Sequence, residues 1–277
     1  MEIRPRGSDL TEDEPVLDAI TPVLLTYNEA ANIGRTLARL AWADDIVVVD
    51  SFSTDETVDL VRNYPQVRVF RRAFDTHALQ WTYATQETDI KTEWILALDA
   101  DYVVSEPLVD ELRVLNPPAA VAAYSVAFRY CVYGRPLRAS LYPPVQALFR
   151  RSEARYVQDG HTQRLVIQGV VPRLEGKIFH DDRKPLERWL NSQQRYAKLE
   201  AQHILSTRRE LLGFNARMRL TGWAAPISVF FYVLLVKGCL FEGWPGWLYV
   251  LQRALAETMI ALAVVEERTR DTLSREK

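Results

Sequence analysis

Hydrophobic residues in this chain cluster in short runs that end in polar residues. The clearest run is Trp94-Ile95-Leu96-Ala97-Leu98, followed by Asp99-Ala100-Asp101. A brief apolar run with polar ends predicts a strand covered on both faces, as in a parallel sheet. The same pattern predicts strands at 20–25, ending in Thr26-Tyr27-Asn28-Glu29, at 46–49, ending in Asp50-Ser51, and at 67–70. Between the runs the apolar spacing becomes helical. Ile33, Leu37 and Leu40 predict a helix with Asn28 as its N-cap. Ser53-Thr54-Asp55-Glu56 reads as a capping box opening a second helix, which Pro65 stops. A third helix is expected over 76–88. Residues 20–101 therefore alternate strand and helix, which predicts a parallel sheet with helices on both faces.

Beyond Asp101 the pattern loosens. A short helix is expected over 106–115, ended by Pro117-Pro118. Strand-like segments rich in Tyr, Val and Phe follow over 121–149, with another strand at 165–171. A long helix is expected over 185–212, then two strongly apolar segments at 220–236 and 244–265. The expected fold class is α/β: a Rossmann-like, mostly parallel sheet flanked by helices, with a C-terminal helical extension that is amphipathic and apolar. The expected division is a loose arm at 1–18, a sheet domain at 19–182 and a helical region at 183–277. The arm is polar with no apolar core, and is read as lacking a secretory signal.

Charge adds one feature. The chain carries a net charge of -2 over 277 residues, which argues against a nucleic-acid partner. From 183 to 253, however, 11 Lys and Arg stand against 4 Asp and Glu. The front of the chain is acidic and the back basic. Cys131 and Cys239 lie far apart without metal-ligand spacing and are read as free thiols in a reducing compartment.

The candidate chemistry sits just after the strands. In open α/β sheets ligands bind beyond the carboxyl ends of the strands. Thr26, Tyr27, Glu29, Asp50, Ser51, Asp99 and Asp101 should therefore meet at one crevice. Two acids one residue apart call for a cation, and hard carboxylate oxygens suit Mg²⁺ or Mn²⁺ holding a diphosphate. The first strand is followed by neither a GxGxxG fingerprint nor a GxxxxGK[ST] loop. Dehydrogenase and P-loop readings lose ground accordingly. Arg71 and Arg72 are candidates to supply positive charge towards a phosphate.

Three blocks together resemble the family 2 inverting glycosyltransferases of GT-A fold: Thr26-Tyr27-Asn28-Glu29, then 48–57 reading Val-Val-Asp-Ser-Phe-Ser-Thr-Asp-Glu-Thr, then Leu98-Asp99-Ala100-Asp101. Within that family the chain is similar to the bacterial branch that builds lipopolysaccharide core and other surface glycans. The resemblance covers residues 20–182 well and the Phe241-Glu242-Gly243-Trp244-Pro245-Gly246 tail loosely. It implies a nucleotide-sugar donor, UDP-linked by default, and a glycan or lipid-linked acceptor. Asp50 would bind the base or ribose, with Thr26, Tyr27, Glu29 and Ser51 around it. Asp99 and Asp101 would form the DxD motif, Asp99 also reaching the ribose. His180 would complete the metal site, with Asp181 steadying its ring. An inverting transfer needs a base for the acceptor hydroxyl. Asp159 is the leading candidate and His161 the alternative, because many relatives read His-Glu where this chain has His161-Thr162. The stretch 74–82 also departs from relatives, which often place Gly, Lys and Asn where this chain has Trp81 and its neighbours. Two other readings stay open: a polyprenyl-phosphate sugar synthase, and a non-catalytic sugar-nucleotide-binding scaffold.

The apolar segment 220–236 would span about 26 Å as a helix, short of the hydrocarbon core of about 30 Å. Gln252, Arg253 and Glu257 interrupt the second segment. With Trp223, Tyr232, Trp244, Trp247 and Tyr249 as interfacial aromatics, the tail is expected to lie on the inner face of the cytoplasmic membrane. The alternatives are a homo-oligomer interface, a cap on the sheet domain, or a true span.

Overall fold

The structure is a computed structural model and describes residues 16–159 and 162–275. The sheet domain begins with β1 (Ile20–Thr26), α1 (Ile33–Ala38), β2 (Ile46–Asp50), α2 (Thr57–Val61), β3 (Val67–Arg71), α3 (His77–Gln86) and β4 (Trp94–Asp99). It continues with β5 (Tyr102–Val104), α4 (Glu106–Val114), β6 (Ala123–Val132), β7 (Arg135–Pro136), β8 (Val145–Arg150), β9 (Ala154–Asp159), β10 (Thr162–Ile167) and β11 (Arg173–His180). The C-terminal helices are α5 (Leu186–Ser206), α6 (Phe214–Arg219), α7 (Ala224–Phe231) and α8 (Gly243–Arg275). A π-helical turn, Tyr232–Val236, prolongs α7.

The main sheet runs β3-β2-β1-β4-β8-β6-β11-β5. Its first four strands are parallel, as the alternating pattern requires. From β4 onward it is mixed: β8 runs antiparallel to both β4 and β6, β11 parallel to β6, and β5 antiparallel to β11. The α/β expectation holds, with the parallel character confined mostly to the front half.

Side chains alternate across the pleat. Ile46 and Val48 of β2, with Trp94, Leu96 and Leu98 of β4, face a core shared with Ile33, Leu37, Leu108 and Leu112. Val47, Val49 and Ile95 point the other way, against Trp81, Ala84 and Phe149. Helices α1, α2 and α4 thus cover one face, and α3 with the β9–β10 hairpin covers the other. Trp81 is 3% exposed and stacks on Tyr156 of β9 with ring centroids 5.4 Å apart. The departure from the family at this position is a packing residue between α3 and the hairpin.

Two expected helix starts are corrected. Asn28 is not an N-cap; it adopts the left-handed conformation, φ 55°, which Asn tolerates. Its Oδ1 accepts from the Thr54 backbone N–H at 2.7 Å. Ser53 does not cap α2 either; its hydroxyl donates to Asp50 Oδ2 and accepts from the Asn28 N–H at 2.7 Å. The Glu29 N–H donates to Thr57 Oγ1 at 2.6 Å, and the Ala30 N–H to Asp55 Oδ2 at 3.2 Å. Both polar loops spend their capping residues on each other. They close together because adjacent strands, Thr26 opposite Asp50 in register, deliver them side by side.

The C-terminal helices share a third core with the end of β6. Tyr130, Val132 and Leu137 pack with Val233, Leu234, Tyr249 and Val250. Arg219 ties α6 to α5 and α8 through Glu200 at 2.7 Å and Glu257 at 2.5 Å. Both cysteines are free and buried.

Candidate active site

Strand register sets the site. Thr26 lies opposite Asp50, and Leu25 opposite Asp99, so the tips of β2, β1 and β4 stand in one row. Asp50 is fully buried, its carboxylate accepting from Thr26 Oγ1 at 3.1 Å and from the Ser53 N–H at 2.9 Å. Ser51 Oγ accepts from Gln80 Nε2 at 3.1 Å. Tyr27 and Phe52, just past the tips of β1 and β2, each leave 52% of their surface exposed. Such flat, half-open rings at a strand tip suit a stacked ligand. The Arg188 guanidinium lies over Tyr27, 5.9 Å from its centroid, and donates to the Tyr27 and Asn28 carbonyls.

The acidic pair lies deeper. Burial and the neighbouring Asp101 push the Asp99 carboxyl up to about 6, against the Tyr102 hydrogen bond and the His180 charge. Burial would raise Asp101 as well. His180, with Nε2 3.2 Å from Asp101 Oδ2, reverses that and holds Asp101 below its ordinary value. In return, the acids raise His180 above its ordinary value despite burial. Its Nδ1 is buried without a hydrogen-bond partner. Tyr102, Tyr130 and Tyr142 surround the imidazole, with ring centroids 4.9 to 5.1 Å away. The expected support from Asp181 is absent. Asp181 instead accepts from the Gly134 N–H at 2.8 Å and Arg183 Nε at 2.9 Å, and lies 3.6 Å from Arg35 Nε. β11 ends at His180, and Asp181 lies in the loop beyond it, turned to Gly134 and Arg183.

Several residues not foreseen from the sequence complete the cluster. Lys184 Nζ is 2.6 Å from Glu29 Oε1 and 3.6 Å from Asp182 Oδ2. Burial pushes Glu29 up to about 6 even so, Lys184 opposing the rise. Asn32 Nδ2 bridges Glu29 and Asp182 at 2.8 and 2.9 Å. Asn32 and Lys184 carry no motif signal. Only the fold joins the start of α1 to the segment after β11.

Arg72 does not face a phosphate site: its guanidinium is held by Asp75 and Gln80. Arg71 lies over the Phe52 ring at 6.0 Å. Asp159 ends β9 and pairs with Thr162 across the hairpin. His161 lies outside the described residues. Tyr156, on the same strand as Asp159, is half-buried against Trp81 and feels the Asp99 charge.

Comparison with known proteins decides the family. A profile described as Glycosyl transferase family 2 matches residues 22–168. The chain belongs to that family. The family 2 match takes in all the strand tips described above and stops short of His180 and Lys184. An uncharacterized glycosyltransferase of Rickettsia bellii is 36% identical over 97 residues, 35% of this chain and 32% of that protein. This match spans about a third of that relative's length. An uncharacterized glycosyltransferase of Rickettsia typhi is 20% identical over 220 residues, 74% of each chain. Among solved structures, S. aureus TarS 1–349 in complex with UDP-GlcNAc superposes with a TM-score of 0.48 at 15% identity, covering 91% of this chain and 92% of that one.

Proposed function

We propose that this family 2 member is an inverting glycosyltransferase of the bacterial cell envelope. It takes a sugar from a nucleotide-diphosphate donor, by default a UDP-sugar, and gives it to a glycan or lipid-linked acceptor. The lipopolysaccharide-core and surface-glycan branch is the nearest description of its role. The observation that carries the reading is the pair Asp99 and Asp101 at the tip of β4, beside His180 and the half-open rings of Tyr27 and Phe52.

The residues fit Mg²⁺ or Mn²⁺. Among the described residues no three acidic, His or Cys side chains form a ready-made cage. Ions of this kind commonly take one or two carboxylates and complete their shell from substrate phosphates and water. Asp101 and Asp99 would supply the carboxylates. The buried, unpartnered Nδ1 of His180 marks a polar group still lacking its ligand or water. When bound, the metal offsets the charge that gathers on the departing nucleoside diphosphate. Tyr27 stacks on the base, and Asp50 binds the base or ribose, its carboxylate held in place by Thr26 and Ser53. Lys184, charged and half enclosed by Glu29 and Asp182, keeps this acidic wall from repelling the donor. The base that removes the acceptor proton comes from the β9–β10 hairpin, Asp159 first and His161 as the alternative.

A thermal-shift screen tests the assignment. UDP-, GDP-, dTDP- and CMP-sugars are each added with and without Mn²⁺ to the wild type and to Asp101→Ala. Ligand at 100-fold its Kd stabilises the folded state by about 2.7 kcal/mol. The expected result is a Mn²⁺-dependent rise in Tm with one nucleotide, lost in the variant. No rise with any of the four removes the transferase reading and leaves the scaffold.

A further inference from the structure

Helix α8 lies outside the residues matched by the family, yet it sends a cation to the wall of the crevice. The Arg253 guanidinium stands 5.9 Å from the Trp189 ring of α5 and 5.6 Å from the Tyr249 ring. Tyr142 lies in the same cluster and feels the Arg253 charge. Tyr142 is 4.9 Å from the His180 ring, so a single aromatic ring separates Arg253 from the His180–Asp101 pair. Tyr142 also feels Asp101 and Asp182, and Tyr130 feels both Arg253 and Asp182.

Among the described residues, Arg253 stands beside the crevice without a carboxylate partner. The ion pairs of α8 join Glu257 to Arg219 and Glu266 to Arg270; among the described residues none includes Arg253. Its Nε is buried and unbonded. A guanidinium stays charged at every accessible pH and presents five N–H groups. The side chain is only partly exposed, and its two aromatic neighbours leave the buried Nε–H without an acceptor. By contrast Arg219, one helix away, is fully met by two carboxylates. Arg72, Arg35 and Arg183 likewise have carboxylate partners. A guanidinium held ready in this way matches a phosphate, which it grips through paired N–H groups.

We infer that Arg253 is a phosphate-binding residue of this crevice, delivered by the C-terminal helix. The inference rests on the transferase reading for the source of the phosphate, which is either the donor's diphosphate or the phosphate of a lipid-linked acceptor. It explains why the C-terminal helices share a core with β6 instead of hanging free.

Titration calorimetry on the full chain tests it, with inorganic pyrophosphate plus Mn²⁺ as one probe and a short-chain polyprenyl phosphate as the other. Arg253→Gln keeps a polar side chain and removes the charge; Arg253→Lys keeps the charge. A tenfold or greater loss of pyrophosphate affinity in the Gln variant, with the Lys variant binding at least threefold more tightly than the Gln variant, assigns the donor side. The same pattern confined to the polyprenyl phosphate assigns the acceptor side. A purely structural role would not separate the Gln and Lys variants in this way. If Arg253→Gln fails to fold, Arg253→Met, which keeps the length and apolar contacts of the side chain without its charge, is read instead, and a tenfold or greater loss is expected. Unchanged affinity for both probes, or no binding of either by wild type, overturns the inference. Pyrophosphate binding that depends on Arg253 would survive a failure of every nucleotide sugar in the thermal-shift screen.

Discussion

Asp99, Glu29 and His180 all carry pKa values above their ordinary ones, and that common direction has a measurable result. A group whose folded pKa is raised contributes stability at pH below its unfolded value and loses it as pH climbs through the folded value. For Asp99 and Glu29 that window runs from the ordinary carboxylate range to about 6. Metal-free protein should therefore lose Tm as pH rises from 4.5 to 7, and Asp99→Asn should flatten the slope. A carboxylate must be ionised to bind a metal. Stabilisation by Mn²⁺ with pyrophosphate should thus run the opposite way, growing as pH passes about 6. A Tm profile without slope in the metal-free wild type would show that Asp99 is not the buried acid described. At this scale the sequence was informative about identity and silent about partners. The acids, Tyr27 and His180 stood out by residue type and by position after a strand. Lys184, Asn32 and Arg253 did not, because their importance comes from neighbours 150 or more positions away in some cases, such as Asn32 to Asp182.

Strand β11 shows why elements were harder to read than residues. Its sequence, Arg-Leu-Glu-Gly-Lys-Ile-Phe-His, mixes charges and a glycine, all poor strand formers, and no strand was expected there. In the fold only one face is covered, so Leu174, Gly176 and Ile178 turn inward while the charges stay out. The glycine has a specific cause. A Cβ at Gly176 would lie 2.4 Å from Leu108 Cα, within the backbone of α4. Glu111 of the same helix accepts the backbone N–H groups of Glu175 and Gly176 at 3.0 and 2.9 Å. Gly176→Ala should force α4 away and cost about 1–3 kcal/mol, read as a lower urea midpoint. Because His180 ends the same strand, donor affinity should fall with it. A Gly176→Ala protein of wild-type stability would mean that helix and strand lie further apart than described. The front strands β1, β2 and β4 were legible because burial on both faces favours apolar runs, broken in β1 by Thr21 and Pro22. β9 and β11 were not, because one-sided strands with polar faces dilute that signal, and β10 was met only in part by the strand expected at 165–171.

At the scale of the whole molecule, the basic excess of the C-terminal region divides between two uses. Lys184 turns into the crevice, Arg183 pairs with Asp181, Arg188 braces the crevice lip, and Arg219 is consumed by Glu200 and Glu257. Fewer cations are therefore left to meet a lipid surface than the charge count suggested. What remains is apolar. Around the bend between α7 and α8, Phe231 is 53% exposed, Val236 71%, Phe241 81% and Trp244 50%. Basic side chains border this patch, with Lys237 5.6 Å from the Tyr232 ring and Arg135 5.3 Å from that of Trp244. One stretch, Cys239–Arg270, is long and apolar enough to cross a membrane, with a mean hydropathy of 1.5. Its Glu257 is held in the triad with Arg219, however, and α8 packs along α5, an arrangement better suited to lying on a bilayer than crossing it. Trp244 also neighbours Tyr133, and the next residue, Gly134, is hydrogen-bonded to Asp181, so the patch adjoins the crevice. We therefore expect the bend to dip into the leaflet and hold the crevice where a lipid-linked acceptor would arrive. In vesicle co-sedimentation, the wild type should bind phosphatidylglycerol-containing liposomes, and the double variant Phe241→Ser with Trp244→Ser should bind at least tenfold more weakly. Because apolar burial outweighs the few free cations, raising salt from 50 to 500 mM should weaken wild-type binding less than the double substitution does. If wild type stays in the supernatant and light scattering shows a dimer that the double variant dissolves, the patch faces a second copy and the membrane placement is wrong.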